Sequence, residues 1–133
     1  MSNFLLHPRL EADTAFVADW PLCTLLLMND ARYPWLILAP RRPVMMEIHQ
    51  LAPGDRAALM EEVTRASLIL RDIPGIEKIN VGALGNKVPQ LHVHVIGRHM
   101  GDPAWPGPVW GHSQARPYTA REQAERIALV RNR

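Results

Sequence analysis

The chain has 133 residues and a formal net charge of +2, with 15 basic and 13 acidic residues interspersed along it. That length fits one domain able to bury a core of its own, and the mild charge gives no argument for nucleic acid as the main partner while remaining compatible with a small polyanionic ligand. The single cysteine, Cys23, excludes an internal disulfide and lies in the apolar run Leu22 to Met28, where it reads as a buried thiol.

Met1 to Pro8 lack the charged start and long apolar stretch of a secretory signal. No apolar run approaches the roughly 18 residues of a membrane span. The expectation is a cytoplasmic protein with no membrane partner. Phe16-Val17-Ala18 reads as a short strand broken at Asp19-Trp20-Pro21, and Leu22 to Met28 as a buried strand. Asn29 to Arg32 forms a turn into a second strand, Tyr33 to Ala39, ended by Pro40 and Pro43, so the pair predicts an antiparallel hairpin.

Beyond Ile48 the apolar period changes. Leu51, Ala58, Leu59, Val63, Ala66 and Leu70 predict one long amphipathic helix, with Pro53 in its first turn and Pro74-Gly75 at its end. A third strand follows at Lys78 to Gly82, then a glycine-bearing turn, then a fourth strand from Val88 to Ile96. Residues 97–118 predict an irregular tail over the domain, anchored by Trp105 and Trp110. Thr119-Ala120-Arg121-Glu122 has capping-box spacing for a final short helix over about 119–131. The order strand-strand-helix-strand-strand predicts a single α+β domain over 1–133, an antiparallel sheet of about five strands crossed by one long helix.

The chemistry concentrates in the fourth strand. Residues two apart on a strand share a face, so Gln90, His92 and His94 are expected on one side and Leu91, Val93 and Val95 on the other. Two same-face imidazoles serve either as metal ligands, with Cys23, His99 or His112 to complete a set, or as a nucleophile and a charge stabiliser at phosphorus. Both uses need neutral imidazole, which an ordinary pKa of about 6.5 allows near neutral pH. The metal reading ranks lower because no second paired ligand motif accompanies the histidines. Gly82 and Gly85, beside Asn80, Asn86 and Lys87, provide a turn able to aim backbone N–H groups at anionic oxygens, although such glycines are also ordinary turn residues. Arg98 is a candidate for a distal phosphate, against the plainer reading of a surface arginine.

These residues resemble the signature of the histidine triad (HIT) family, His-x-His-x-His-x-x with apolar x, preceded by an Asn-x-Gly-x-x-Gly-type turn. Here the signature reads Gln90-Leu91-His92-Val93-His94-Val95-Ile96 after Asn80-Val81-Gly82-Ala83-Leu84-Gly85. The resemblance extends from about Cys23 to Trp110. It implies nucleotide hydrolases or transferases, of a bacterial type, that cleave at an α-phosphate through a covalent nucleotidyl-histidine, without a cofactor and usually without a catalytic metal. It places the nucleophile on His92 and a phosphate-oxygen hydrogen bond on His94.

The first triad histidine is replaced by Gln90, which still offers a backbone carbonyl to the nucleophile's Nδ1–H. A further histidine of many members is replaced by Trp35, which reads as core. Asn86 and Lys87 stand where members carry a leaving-group acid, and Asn29 stands where some contact ribose. The resemblance also implies a homodimer, joined through sheets or helices. A dinucleoside polyphosphate or another nucleotide conjugate is the expected substrate class; the alternative is a nucleotide-binding module with little turnover.

Overall fold

The computed structural model describes residues 4–133. Five strands, β1 (Thr14–Asp19), β2 (Cys23–Met28), β3 (Trp35–Pro40), β4 (Lys78–Gly82) and β5 (Val93–Arg98), form one antiparallel sheet in the order β1-β2-β3-β5-β4. The nearly unbroken apolar sequences of β2 and β3 follow from their central place, since both faces of the sheet are covered. On one face Leu25, Leu27, Leu36, Leu38, Val93 and Val95 join the main core. On the other, Leu26, Trp35, Ile37 and Ile96 join a smaller core with Tyr33 and the tail residues Ala104 and Val109.

Helix α2 (Pro53–Arg71) covers the first face, with Pro53 at its start and Leu59, Val63, Ala66 and Leu70 turned inward. Glu62 is buried within this apolar stripe. Its carboxylate accepts the backbone N–H groups of Leu22 at 2.7 Å and Cys23 at 2.9 Å, tying the helix to the entrance of β2. Burial and the adjacent Glu62 carboxylate push the Cys23 thiol up, leaving it an inert core residue. Helix α3 (Ala120–Arg131) carries the expected capping box: Thr119 Oγ1 accepts from Glu122 N at 3.1 Å, and Glu122 Oε1 accepts from Thr119 N at 3.0 Å.

A short helix, α1 (Pro8–Asp13), precedes β1 and was not evident in the apolar pattern, because Leu10 alone among its residues is buried. The fourth predicted strand is displaced. Residues 88–92 run irregularly, and β5 begins at Val93 and continues through Gly97 and Arg98, which the sequence assigns to the tail. Pro89 has no N–H to give a ladder, so strand pairing starts after it. Among the described residues, no helix is long and apolar enough to cross a membrane.

Candidate active site

The second face of the sheet carries a cavity of about 580 Å³, lined by His92 and His94, by residues 84–88 of the preceding loop, and by Trp35 and Trp110. Its floor follows from strand register. Ile37 lies opposite His94 and Trp35 opposite Ile96, so Trp35 is the diagonal neighbour of His94 on the same face. His92, immediately before β5, and His94 within it are both buried, with ring centroids 5.0 Å apart.

Each imidazole has a defined hydrogen-bonding role. His92 Nδ1 is 2.7 Å from the backbone oxygen of Gln90. A carbonyl only accepts, so Nδ1 carries a hydrogen and neutral His92 keeps its lone pair on Nε2. His94 is set the opposite way. Trp35 Nε1–H, which only donates, reaches His94 Nδ1 at 3.0 Å, so the hydrogen of neutral His94 is on Nε2. Burial, and then the neighbouring His92, push the His94 pKa down to about 3, which keeps this ring neutral through the physiological range. The pair therefore offers one ring nitrogen as a base and one N–H as a donor.

Gln90 acts through its main chain, and the expectation that its amide faces the cleft beside the histidines is not met. Its side chain turns to the N-terminal segment, where Oε1 accepts His7 N at 2.8 Å and Nε2 donates to Leu5 O at 2.8 Å. Of the other candidates, Gly85, Asn86 and Lys87 line the cavity, Gly85 with φ of +70°, a left-handed value that favours glycine. Gly82 serves a different purpose: a Cβ there would meet the Trp110 ring at 2.8 Å, so glycine lets that ring lie against the end of β4 and, at 5.4 Å between centroids, against His94.

Arg98, Asn80 and Asn29 are not brought to the cavity. Arg98 is buried, its guanidinium spanning the Asp102 carboxylate at 2.6 and 2.9 Å, Asn80 Oδ1 at 2.8 Å and Gly107 O at 2.9 Å. These contacts bind the tail to the sheet and leave Arg98 unable to reach a phosphate. Asn29 Oδ1 accepts Tyr118 N at 2.9 Å, again holding the tail. Cys23 faces the helix side, so it cannot complete a metal set with the histidines, and no cluster of three or more His, Cys, Asp or Glu side chains able to hold a metal occurs among the described residues.

Among the lining residues without a functional expectation from the sequence are Arg9, Asp30 and Arg32, together with Trp35, which reads there as core. Asp30 and Arg32 form a two-pronged ion pair at 3.0 and 2.9 Å, and Arg32 also donates to Ser113 Oγ at 2.7 Å. Burial alone would raise the Asp30 carboxyl, but hydrogen bonds from Arg32 and Arg116 outweigh it and hold the group below the usual carboxylate range. Only the local spacing of Asp30 and Arg32 hinted at this pair. Trp35 was visible as the aromatic standing where a histidine was expected.

The fold is an antiparallel α+β domain whose tail-covered sheet face holds two buried histidines of opposite hydrogen-bonding polarity in one cavity. The comparisons agree: residues 9–101 match the HIT domain model, and the chain belongs to the histidine triad family. Its fold and sequence are similar to a histidine triad protein of Bradyrhizobium japonicum, at 47% identity over 97% of this chain and 96% of that one, with a TM-score of 0.94. A histidine triad protein of Sinorhizobium meliloti is also 47% identical, over 98% and 96% of the two chains, with a TM-score of 0.95. One of Marinobacter aquaeolei is 46% identical over 97% and 94%, with a TM-score of 0.94. Among curated proteins, none matches the chain.

Proposed function

We propose that this protein is a nucleotide hydrolase or nucleotidyl transferase of the bacterial histidine triad type, acting at the α-phosphate of a nucleotide conjugate. The observation that carries the reading is the opposite polarity of the two imidazoles. His92, held by the Gln90 carbonyl, presents Nε2 as nucleophile; His94, held by Trp35, presents Nε2–H to a non-bridging phosphate oxygen. Attack forms an N–P bond as the bond from phosphorus to the leaving group breaks. Water then attacks the same phosphorus, the N–P bond breaks, and His92 recovers its lone pair. Replacement of the first triad histidine by Gln90 is compatible with this sequence because a backbone carbonyl does the orienting.

Turnover of a panel of dinucleoside polyphosphates, nucleoside phosphoramidates and nucleotidyl sugars tests the reading. Wild type is expected to turn over at least one many times per site, and His92→Ala to lose at least about 10³-fold. Tight nucleotide binding without multiple turnovers would leave only a binding module. The partner proposed is a second copy of the chain: β4 is an edge strand, and Val81 on it and Leu84 beyond it are about half exposed. Sedimentation at micromolar concentration should return a dimer; a monomer would refute it.

A further inference from the structure

Three cations, Arg9, Arg32 and Lys87, and one carboxylate, Asp30, line the cavity. Asp30 is committed to Arg32 through both of its oxygens. Lys87 has no ion-pair partner among the described residues, and Arg9 approaches only Asp13, at 3.6 Å, with both side chains more than half exposed at 59% and 52%. Such a solvated pair competes weakly with a ligand phosphate. Two positive charges therefore line the same cavity as the histidines, Arg9 compensated only by its solvated pair with Asp13 and Lys87 by no ion pair among the described residues.

Arg9 reaches this position through Gln90. The glutamine amide pins Leu5 and His7, and His7 Nδ1 in turn accepts the backbone N–H of Arg9 at 3.0 Å, capping the first turn of α1. Leu5 and His7 precede the span matched by the family model, which begins at residue 9. The residue whose carbonyl orients the nucleophile thus also latches the segment that carries a cation to the cavity wall. The 84–88 loop carries neither a hydroxyl nor an imidazole side chain, and Lys87 is its one cation. An amine expelled from phosphorus needs a proton, whereas a polyphosphate leaves as a stable anion.

Building on the proposed chemistry, we infer that Arg9, held in place by the Gln90 latch, forms with Lys87 an anion-binding subsite for a leaving polyphosphate, so that polyphosphate conjugates are preferred over phosphoramidates. The test compares wild type, Arg9→Ala, Arg9→Lys and Gln90→Ala by two readouts. One is the ratio of kcat/KM for diadenosine tetraphosphate to that for adenosine 5′-phosphoramidate. The other is calorimetric affinity for inorganic tripolyphosphate, which does not depend on turnover.

Wild type should favour the tetraphosphate. Arg9→Ala and Gln90→Ala should each lower the ratio and the tripolyphosphate affinity about tenfold, with Arg9→Lys recovering most of both. A wild-type preference for the phosphoramidate, or a ratio and an affinity unmoved in both alanine variants, overturns the inference. If no substrate is turned over yet tripolyphosphate affinity falls in both alanine variants, the subsite stands and the catalytic reading fails.

Discussion

Trp35 shows how one side chain is both core and machinery. Its ring fills the smaller core, while its only polar hydrogen fixes which nitrogen of His94 is protonated. The pair of histidines was legible from their spacing alone, because a strand period of two puts such residues together wherever the strand begins. Trp35 was not, since a tryptophan in an apolar strand looks the same whether its Nε1–H meets solvent, a carbonyl or an imidazole. Only the register that sets Ile37 opposite His94 makes the contact visible. Trp35→Phe keeps most of the volume and removes the donor, so it is expected to lower kcat about tenfold, less than loss of a donor that touches the phosphate directly. Nitrogen-15 spectra of His94 should then show a mixture of Nδ1–H and Nε2–H forms in place of Nε2–H alone. An unchanged tautomer would deny Trp35 its positioning role.

At the scale of elements, strands and helices with strong periodicity were readable, including all of β4 and most of α2. Errors fell where backbone chemistry or a polar contact interrupted the pattern. Pro89 delays β5 to Val93, placing His92 just outside the ladder, where its ring can turn back to the Gln90 carbonyl two residues earlier. Glu62 was passed over because a carboxylate in an apolar stripe has no sequence signal of its backbone partners. Glu62→Ala leaves the N–H groups of Leu22 and Cys23 buried without their acceptor, at an expected cost of about 2–4 kcal/mol in urea unfolding. A loss below about 1 kcal/mol would mean that water replaces the carboxylate at no net expense.

For the whole molecule, the decisive feature is a sheet covered on both faces by different means. Helix α2 covers one; the irregular tail covers the other and walls the cavity, held by the Asp30–Arg32 and Asp102–Arg98 pairs. The predicted tryptophan anchors account for part of this cover, but the two aspartates could not be paired with their arginines before the fold was known. Burial would raise Asp102, yet hydrogen bonds from Arg98 and from backbone N–H groups hold its carboxyl below the usual range. The folded state thus binds fewer protons than the unfolded one. This stabilisation is complete above the ordinary carboxylate pKa of about 3.9 and is lost as pH falls below it. His94 acts in the same direction over a higher window: its pKa of about 3 lies below the ordinary histidine value, so stability declines as pH falls from about 6.5. Urea midpoints measured against pH should fall in both windows, with His94→Asn flattening the upper and Asp102→Asn the lower; parallel profiles would contradict these assignments.

The claim on which the functional account turns is that His92 carries the nucleotide. The direct measurement is mass spectrometry of protein quenched in alkali, which preserves an N–P bond, during turnover of a labelled substrate from the panel. The account predicts one nucleotidyl group on the peptide that contains His92 and none in His92→Ala. Sustained turnover with no adduct, or with the adduct on another residue, would contradict it.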